Sequence, residues 1–212
     1  MEAVKVASLE QLYKGKRTLE DVPQRTEGSP IYDAELGWFD GRDDLELTPE
    51  HYAANGIPRY IEVTDDLAFL LGFYLAEGSC SARNGVRLAI GNRNEPLVPE
   101  LSRIMETVFG RAPKLCLSKN RIDDLKLVNR VAALTWQKLF GFDEGTTAPT
   151  KRIPDLVFQM DEAKRVAFLR GYLRGDGTVS SKSMVFATSS RDIASGVGYL
   201  LSSLGVVCTL VQ

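Results

Sequence analysis

LAFLLGFYLAEGS, the stretch from Leu67 to Ser79, has a second copy in VAFLRGYLRGDGT, from Val166 to Thr178. Both copies are apolar and helix-like, and both hold an early glycine followed by a small residue, an acid and a glycine at the same spacing. The matched positions are Gly72 and Gly171, Ala76 and Gly175, Glu77 and Asp176, Gly78 and Gly177. Four matches in one register predict that the chain contains two related halves.

The small residues predict that the two helices touch. Positions four apart lie on one face of a helix, so the small residues of each copy form a flat stripe. Without bulky side chains on these stripes, the two backbones can approach each other closely. We therefore expect a helix–helix interface at Gly72, Ala76, Gly171 and Gly175.

The acid of each copy falls in the last turn of its predicted helix. A carboxylate there meets the partial negative charge of the helix C-terminus, which costs roughly 0.3 to 1 kcal/mol unless a cation is near. Side by side, the two helices would bring Glu77 and Asp176 together. A pair of neighbouring carboxylates favours the binding of a divalent metal ion.

The two copies resemble the paired motifs of the LAGLIDADG homing endonucleases, in the two-motif form found inside inteins and as free-standing proteins. Between the copies, KRIPDLVF (Lys151 to Phe158) is similar to a block of intein endonucleases that carries a lysine before Ile-Pro. After the second copy, RDIASGVGYLLSSLGV (Arg191 to Val206) is similar to the amphipathic helix that follows in that family. The four blocks occur in the family's order and cover residues 56 to 212.

The resemblance implies a site-specific, Mg²⁺-dependent endonuclease that hydrolyses phosphodiester bonds in double-stranded DNA and promotes the mobility of its own coding element. It makes Glu77 and Asp176 the metal ligands and catalytic acids, and Lys151 the catalytic lysine. Two alternatives stay open: a non-cutting nucleic-acid-binding protein, such as an RNA-splicing maturase or a DNA-binding regulator, and an inactive remnant. The presence of both acids favours cutting, because a non-cutting protein has no electrostatic reason to keep them at helix ends.

The expected fold is α+β, with two pseudo-symmetric αββαββα halves whose antiparallel saddle sheets flank a central two-helix interface. The expected division is an acidic N-terminal region of unclear role (1–63), a first half (64–142), a linker with the basic block (143–160) and a second half (161–212). From Leu67 to Phe142 there are 76 residues, whereas from Val166 to Gln212 there are 47. We therefore expect the second half to lack about one strand and one helix, and the protein to be a monomer that is truncated or completed by another polypeptide.

Turn signals and periodicity predict the smaller elements. Asn84-Gly85 predicts a hairpin turn, and alternating residues predict a second strand pair in the first half. The remaining expectations are a possible helix at 8–16, helices at 95–109, 130–140, 161–175 and 191–204, and strands at 178–180, 184–188 and 206–211.

The charge of the chain is unevenly distributed. The net charge is only −2, which is unexpected for a nucleic-acid binder. However, residues 1–66 hold 7 Lys/Arg against 15 Asp/Glu, whereas residues 78–141 hold 11 against 5. Local charge steers a polyanion, because exposed charges are screened beyond about 8 to 10 Å. The predicted DNA-binding residues are Arg83, Arg87, Arg93, Lys114, Lys119, Arg121, Lys126 and Lys182, with ordinary solvation of a sheet as the open alternative.

Several protein classes are disfavoured by composition. The longest apolar run, 67–76, is shorter than the roughly 20 residues that cross a bilayer, and no signal peptide is recognisable. We therefore expect a cytoplasmic protein without a membrane partner. The 3 cysteines lack CxxC spacing, which argues against a disulfide framework or a zinc site. We interpret the single histidine, His51, as a surface or capping residue.

Overall fold

The computed structural model describes residues 3–5, 46–47, 56–58, 60–119, 121–143 and 145–211. The predicted helix at 8–16 and His51 lie outside the described residues. Two short strand pairs precede the first motif and have no counterpart in the sequence-based expectations. Strand β1 (Ala3–Lys5) pairs antiparallel with β4 (Tyr60–Glu62), and β2 (Glu46–Leu47) pairs antiparallel with β3 (Ile57–Pro58).

The first motif copy forms helix α1, Asp65–Glu77. Thr64 caps its N-terminus, since the Thr64 hydroxyl accepts a hydrogen bond from the amide of Leu67 at 3.1 Å. Every residue from 67 to 75 is buried, as expected for a helix that is apolar on all sides. Glu77 is the last residue of the helix.

The first half contains a four-stranded antiparallel sheet. In sequence, its elements and the helices that follow them are β5 (Gly78–Ser81), β6 (Gly85–Ile90), α2 (Val98–Phe109), β7 (Lys114–Cys116), β8 (Asp123–Leu127) and α3 (Arg130–Phe140). The spatial order of the strands is β5-β6-β8-β7. The hairpin predicted at Asn84-Gly85 is confirmed, and Gly85 has a φ of 75°, a conformation that favours glycine.

Along β6, side chains alternate between the core and the other face of the sheet. Val86, Leu88 and Ile90 are buried, whereas Arg87 and Ala89 are partly exposed. The buried face rests on an aromatic cluster around Trp136, whose ring lies 5.3 Å from the ring of Tyr74. The motif tyrosines serve in packing, because Tyr74 is buried here and Tyr172 is buried in the second half.

The second half is shorter. Its elements are α4 (Asp155–Gln159), α5 (Glu162–Asp176), β9 (Gly177–Val179), β10 (Met184–Phe186) and α6 (Arg191–Ser203). Strands β9 and β10 form a two-stranded antiparallel hairpin. The predicted α+β class with antiparallel sheets is confirmed, and the second motif copy, like the first, ends a helix on its acid.

The strand predicted at 206–211 is wrong, because no strand is formed there. The start of this segment instead closes helix α6. The amide of Val206 donates to the carbonyl of Leu201 at 2.9 Å, and the amide of Gly205, with φ 74°, donates to the carbonyl of Ser202 at 3.0 Å. This pair of bonds is the Schellman arrangement, which satisfies the free carbonyls of a helix end. No helix in the described part of the chain is long and apolar enough to cross a membrane.

Candidate active site

Helices α1 and α5 meet backbone to backbone at two glycines. A Cβ atom on Gly72 would collide with the carbonyl oxygen of Phe168 and lie 2.8 Å from the amide nitrogen of Tyr172. Reciprocally, a Cβ atom on Gly171 would collide with the carbonyl oxygen of Phe69. The two collisions are equivalent, so the helices are related by an approximate twofold arrangement at this point.

The same contact continues to the ends of the helices. A Cβ atom on Gly175 would collide with the Cβ atom of Ala76 and lie 3.2 Å from Cγ of Glu77. The side chain of Glu77 therefore lies against the α5 backbone immediately before Asp176. The structure brings together the four predicted interface residues and, through them, the two acids.

The surroundings of the two acids raise the pKa of both. Burial, followed by the negative charge of Asp176, raises the pKa of Glu77, and the positive charges of Lys151 and Arg93 oppose this shift. Burial also raises the pKa of Asp176, again against Lys151 and Arg93. Glu77 is half-buried, whereas Asp176 is exposed as a whole residue, so its pKa is raised by partial burial of the carboxyl group alone. Both carboxylates and both cations thus belong to one electrostatic cluster.

Lys151 reaches this cluster from the segment between the halves. Its Nζ atom donates to the carbonyl oxygens of Leu75 at 2.8 Å and Gly78 at 2.9 Å, with Tyr74 at 3.4 Å. The lysine therefore caps the carbonyl groups that end helix α1, where a cation is favourable. Burial lowers the pKa of the Lys151 ammonium, and the two acids partly reverse that effect.

Ser190 holds the backbone of Lys151, a contact that sequence reasoning missed. The Ser190 hydroxyl donates to the carbonyl oxygen of Lys151 at 2.7 Å and accepts from the amide of Ile193 at 3.2 Å. It is the N-cap of α6 and is 2% exposed. A serine before an apolar periodic segment predicts such a cap, but the bond to a residue 39 positions earlier has no local signal.

Arg93 lies at the end of the other motif helix. Nη2 donates to the carbonyl oxygens of Gly175 at 2.8 Å and Arg174 at 3.1 Å, and Nη1 donates to that of Gly177 at 3.2 Å. Sequence reasoning assigned this arginine to DNA binding. In the structure its guanidinium bonds carbonyl groups at the end of α5.

The basic residues of the first-half sheet form a row across neighbouring strands. Arg87 of β6 is directly opposite Lys126 of β8, which is opposite Lys114 of β7. Asp124 accepts hydrogen bonds from Arg87 and, at 3.1 Å, from Lys126. Burial raises the pKa of Asp124, but the hydrogen bonds from Lys126 and Arg87 outweigh it and hold the pKa below its usual range. Asp124 therefore offsets part of the positive charge that the sequence predicted for this face.

The other predicted DNA-binding residues lie at the turns. Arg83, Lys119, Arg121 and Lys182 are exposed in or beside the β5–β6, β7–β8 and β9–β10 connections. An open cleft of about 370 Å³ on the sheet lies between Arg87, Arg121 and Lys126. These four side chains therefore lie on accessible surface, whereas Arg93 is bonded to carbonyl groups at the end of α5.

The two acids fit Mg²⁺ better than a metal that needs an all-protein cage. Among the described residues, no group of three or more His, Cys, Asp or Glu side chains is placed to hold a metal ion. Mg²⁺ keeps several waters and is bound through one or two carboxylates together with phosphate oxygens. Glu77 and Asp176 supply that number of carboxylates at a partly accessible position.

Comparisons with known proteins agree with this geometry. Residues 163–212 match the model of a LAGLIDADG-like domain. A DNA polymerase of Thermococcus hydrothermalis is 32% identical over 181 residues, which are 78% of this chain and 10% of the polymerase. A DNA polymerase of Thermococcus aggregans is 33% identical over 153 residues, 69% of this chain and 8% of that protein. The replication factor C small subunit of Methanocaldococcus jannaschii is 28% identical over 159 residues, 72% of this chain and 8% of that protein.

The chain thus spans a tenth or less of the length of these relatives. The family match falls on the half that contains α5, and α1 repeats its motif, its closely packed glycine and its terminal acid. This chain carries a LAGLIDADG-like domain at residues 163–212.

Proposed function

We propose that this chain is the cutting module of a site-specific, Mg²⁺-dependent homing endonuclease that hydrolyses phosphodiester bonds in both strands of a DNA duplex. The observation that carries the proposal is the meeting of Glu77 and Asp176 at the ends of two adjacent helices. Lys151 lies within electrostatic reach of both. An approximate twofold relation between the helices would present one acid to each DNA strand.

Glu77 and Asp176 would hold Mg²⁺ through their carboxylate oxygens. When bound, the ion neutralises charge on the phosphate and activates water for hydrolysis. The protein's contribution is the close glycine contact, which fixes the two helix ends relative to each other before any ligand arrives. Preorganised groups are effective because they need no rearrangement when charge develops in the transition state.

Lys151 would supply positive charge beside the scissile phosphate. Its Nζ atom is held at the end of α1 by carbonyl oxygens, and its backbone is held by Ser190. A long, flexible side chain restrained in this way loses little further freedom on binding DNA. This restraint supports a role in stabilising developing charge rather than in general solvation of the surface.

Duplex DNA would be bound by the basic sheet and its turns. Arg87 and Lys126 are restrained by Asp124, while Arg83, Lys119, Arg121 and Lys182 are free to extend from exposed positions. Lysine and arginine contacts to phosphates dominate affinity for DNA, whereas base contacts made from the sheet would determine the target sequence. We expect duplex affinity to fall steeply with salt.

The similar proteins support a mobile module. Proteins with names as different as DNA polymerase and replication factor C small subunit are each matched over 8–10% of their length. A segment shared in this way is what an inserted element would produce. We therefore propose an intein-associated or free-standing endonuclease.

Nicking and linearisation of supercoiled plasmid in Mg²⁺ tests the proposal. We expect Glu77→Gln and Asp176→Asn each to abolish double-strand cleavage. Matched controls are Glu106→Gln and Asp155→Asn, which alter exposed acids that do not belong to α1 or α5 and should leave cleavage unchanged. Cleavage that survives both active-site substitutions contradicts the proposal. Tight duplex binding by a wild-type protein that never cuts would instead favour a non-cutting nucleic-acid-binding protein.

A further inference from the structure

The two motif helices are capped by cations from other parts of the chain. Lys151, from the segment between the halves, caps α1. Arg93, from the first half, caps α5 of the second half. Each helix therefore presents its acid beside a cation that comes from a different segment. The proposed function gives Lys151 a role in stabilising charge at the phosphate, but it gives no role to Arg93.

The position of Arg93 is determined by its surroundings. It lies in a 3₁₀ turn, Asn92–Leu97, immediately after strand β6. The neighbouring Asn94 is buried, and its backbone amide donates to the carbonyl oxygen of Gly91 at 2.7 Å. The guanidinium reaches carbonyl groups 81 to 84 residues further along the chain. This contact joins the end of the first-half hairpin to the end of α5.

The guanidinium makes three hydrogen bonds to carbonyl oxygens. A guanidinium has five N–H groups, so most of its donor capacity is used within the protein. The bonded carbonyls belong to Arg174, Gly175 and Gly177, the residues on either side of Asp176. Turning this side chain towards a phosphate would take this donor away from the carbonyl groups of Arg174 and Gly175 at the end of α5.

The charge of Arg93 also acts on the acid pair. It opposes the upward shift in the pKa of both Glu77 and Asp176. Two carboxylates at two helix C-termini concentrate negative charge, and nearby cations reduce the cost of that arrangement. Arg93 is thus placed to fix the backbone around one acid and to stabilise the charge of both.

We propose that Arg93 is a positioning residue for Asp176 and does not contact DNA. It holds the end of α5 against α1, so that Asp176 and Glu77 keep their relative placement. The catalytic consequence rests on the proposed nuclease function. The placement itself does not.

Three variants separate positioning from DNA contact. Arg93→Gln removes the charge and the guanidinium fork. Arg93→Lys keeps a positive charge that can bond carbonyl oxygens, as Lys151 does. The matched control is Arg83→Gln, an exposed arginine of the β5–β6 turn for which we propose a phosphate contact.

The first readout is the salt dependence of binding to a nonspecific duplex without metal. Loss of one phosphate contact reduces the slope of log Kd against log salt by about 1. We expect Arg83→Gln to show this reduction and Arg93→Gln to keep the wild-type slope. A slope reduced by about 1 in Arg93→Gln would overturn the inference.

The second readout is amide hydrogen exchange without metal or DNA. Arg93→Gln should accelerate exchange at the end of α5 and in β9 and leave β5, at the end of α1, unchanged. Unchanged exchange around Asp176 would overturn the inference. These two readouts decide the role of Arg93 even when the wild-type protein does not cut DNA, an outcome that removes the proposed function alone.

The third readout is plasmid cleavage. Substitutions in groups that orient metal-binding residues typically cost about 10- to 100-fold in activity. We expect Arg93→Gln to lower kcat by that amount with KM unchanged, and Arg93→Lys to recover most of the loss. Wild-type kcat in Arg93→Gln, or an Arg93→Lys variant no better than Arg93→Gln, would contradict the proposal.

Discussion

Replacing Gly171 with alanine is expected to destabilise the protein, although alanine is the better helix former. The new Cβ atom would collide with the carbonyl oxygen of Phe69 and lie 2.9 Å from the amide nitrogen of Phe73. Both are backbone atoms of α1, so no side-chain rotation can relieve the overlap. The two helices must therefore move away from each other, which loosens the interface between the two halves.

The magnitude follows from two opposing effects. Overpacking a core by one methyl group costs about 1 to 3 kcal/mol, and a collision with two backbone atoms belongs at the upper end of that range. Replacing a helical glycine with alanine contributes about 1 kcal/mol in the other direction. The expected net loss is about 2 kcal/mol, which lowers the Tm by about 4 to 8 °C in a protein of this size.

Gly198→Ala is the matched control, because Gly198 also lies inside a helix, α6. The atom nearest to a Cβ there is Sγ of Cys208 at 3.9 Å, an ordinary contact. This variant should therefore gain stability, by about 1 kcal/mol or less. Thermal and urea unfolding of both variants tests the reasoning. A Gly171→Ala protein as stable as wild type, or shifted in the same direction as Gly198→Ala, would refute the backbone contact.

Two further predictions concern stability. Asp124→Asn should cost about 1 kcal/mol, since it weakens bonds to the partly exposed Arg87 and to Lys126. The pKa of Asp124 is lower in the folded protein than in the unfolded chain, where it is about 3.9. Ionised Asp124 therefore stabilises the folded protein above that pH, and this stabilisation is lost as the pH falls through the folded-state pKa. Between pH 6 and pH 3, urea unfolding should show a smaller decrease in the free energy of unfolding for the variant than for wild type. Equal decreases would contradict this account. Ser190→Ala should lower the free energy of unfolding by about 0.5 to 2 kcal/mol, because α6 loses its N-cap. Urea unfolding measures this loss, with Ser202→Ala, which alters an exposed serine, as the control. Equal stability of the two variants would contradict the cap.

Elements with a strong local pattern could be predicted from the sequence. Helix α1 was readable because the apolar run begins after Thr64, a good N-cap, and its copy α5 was predicted from 161 to 175 against an observed Glu162–Asp176. The first hairpin was readable because Asn84-Gly85 has the residues that a tight turn needs. In each case the interactions that determine the structure lie within a few residues.

Interactions between distant residues could not be predicted. Nothing near Arg93 indicates that its partners lie more than 80 residues away, and its charge alone suggested a phosphate contact. For Arg87 and Lys126, no local signal in the sequence shows that Asp124 binds both. A strand was expected at 206–211, whereas the cap of α6 determines how that segment begins.

The acids lie at the least favourable place on a helix, and this location has a structural consequence. A carboxylate at a helix C-terminus is destabilised unless a cation is nearby, and here the cations come from segments outside each helix. α1 depends on Lys151, which follows the first half, and α5 depends on Arg93, which lies within it. Neither helix end is therefore complete within its own half. The acid pair can assemble only when the two halves are packed together, so formation of the candidate site is coupled to folding of the whole two-motif unit.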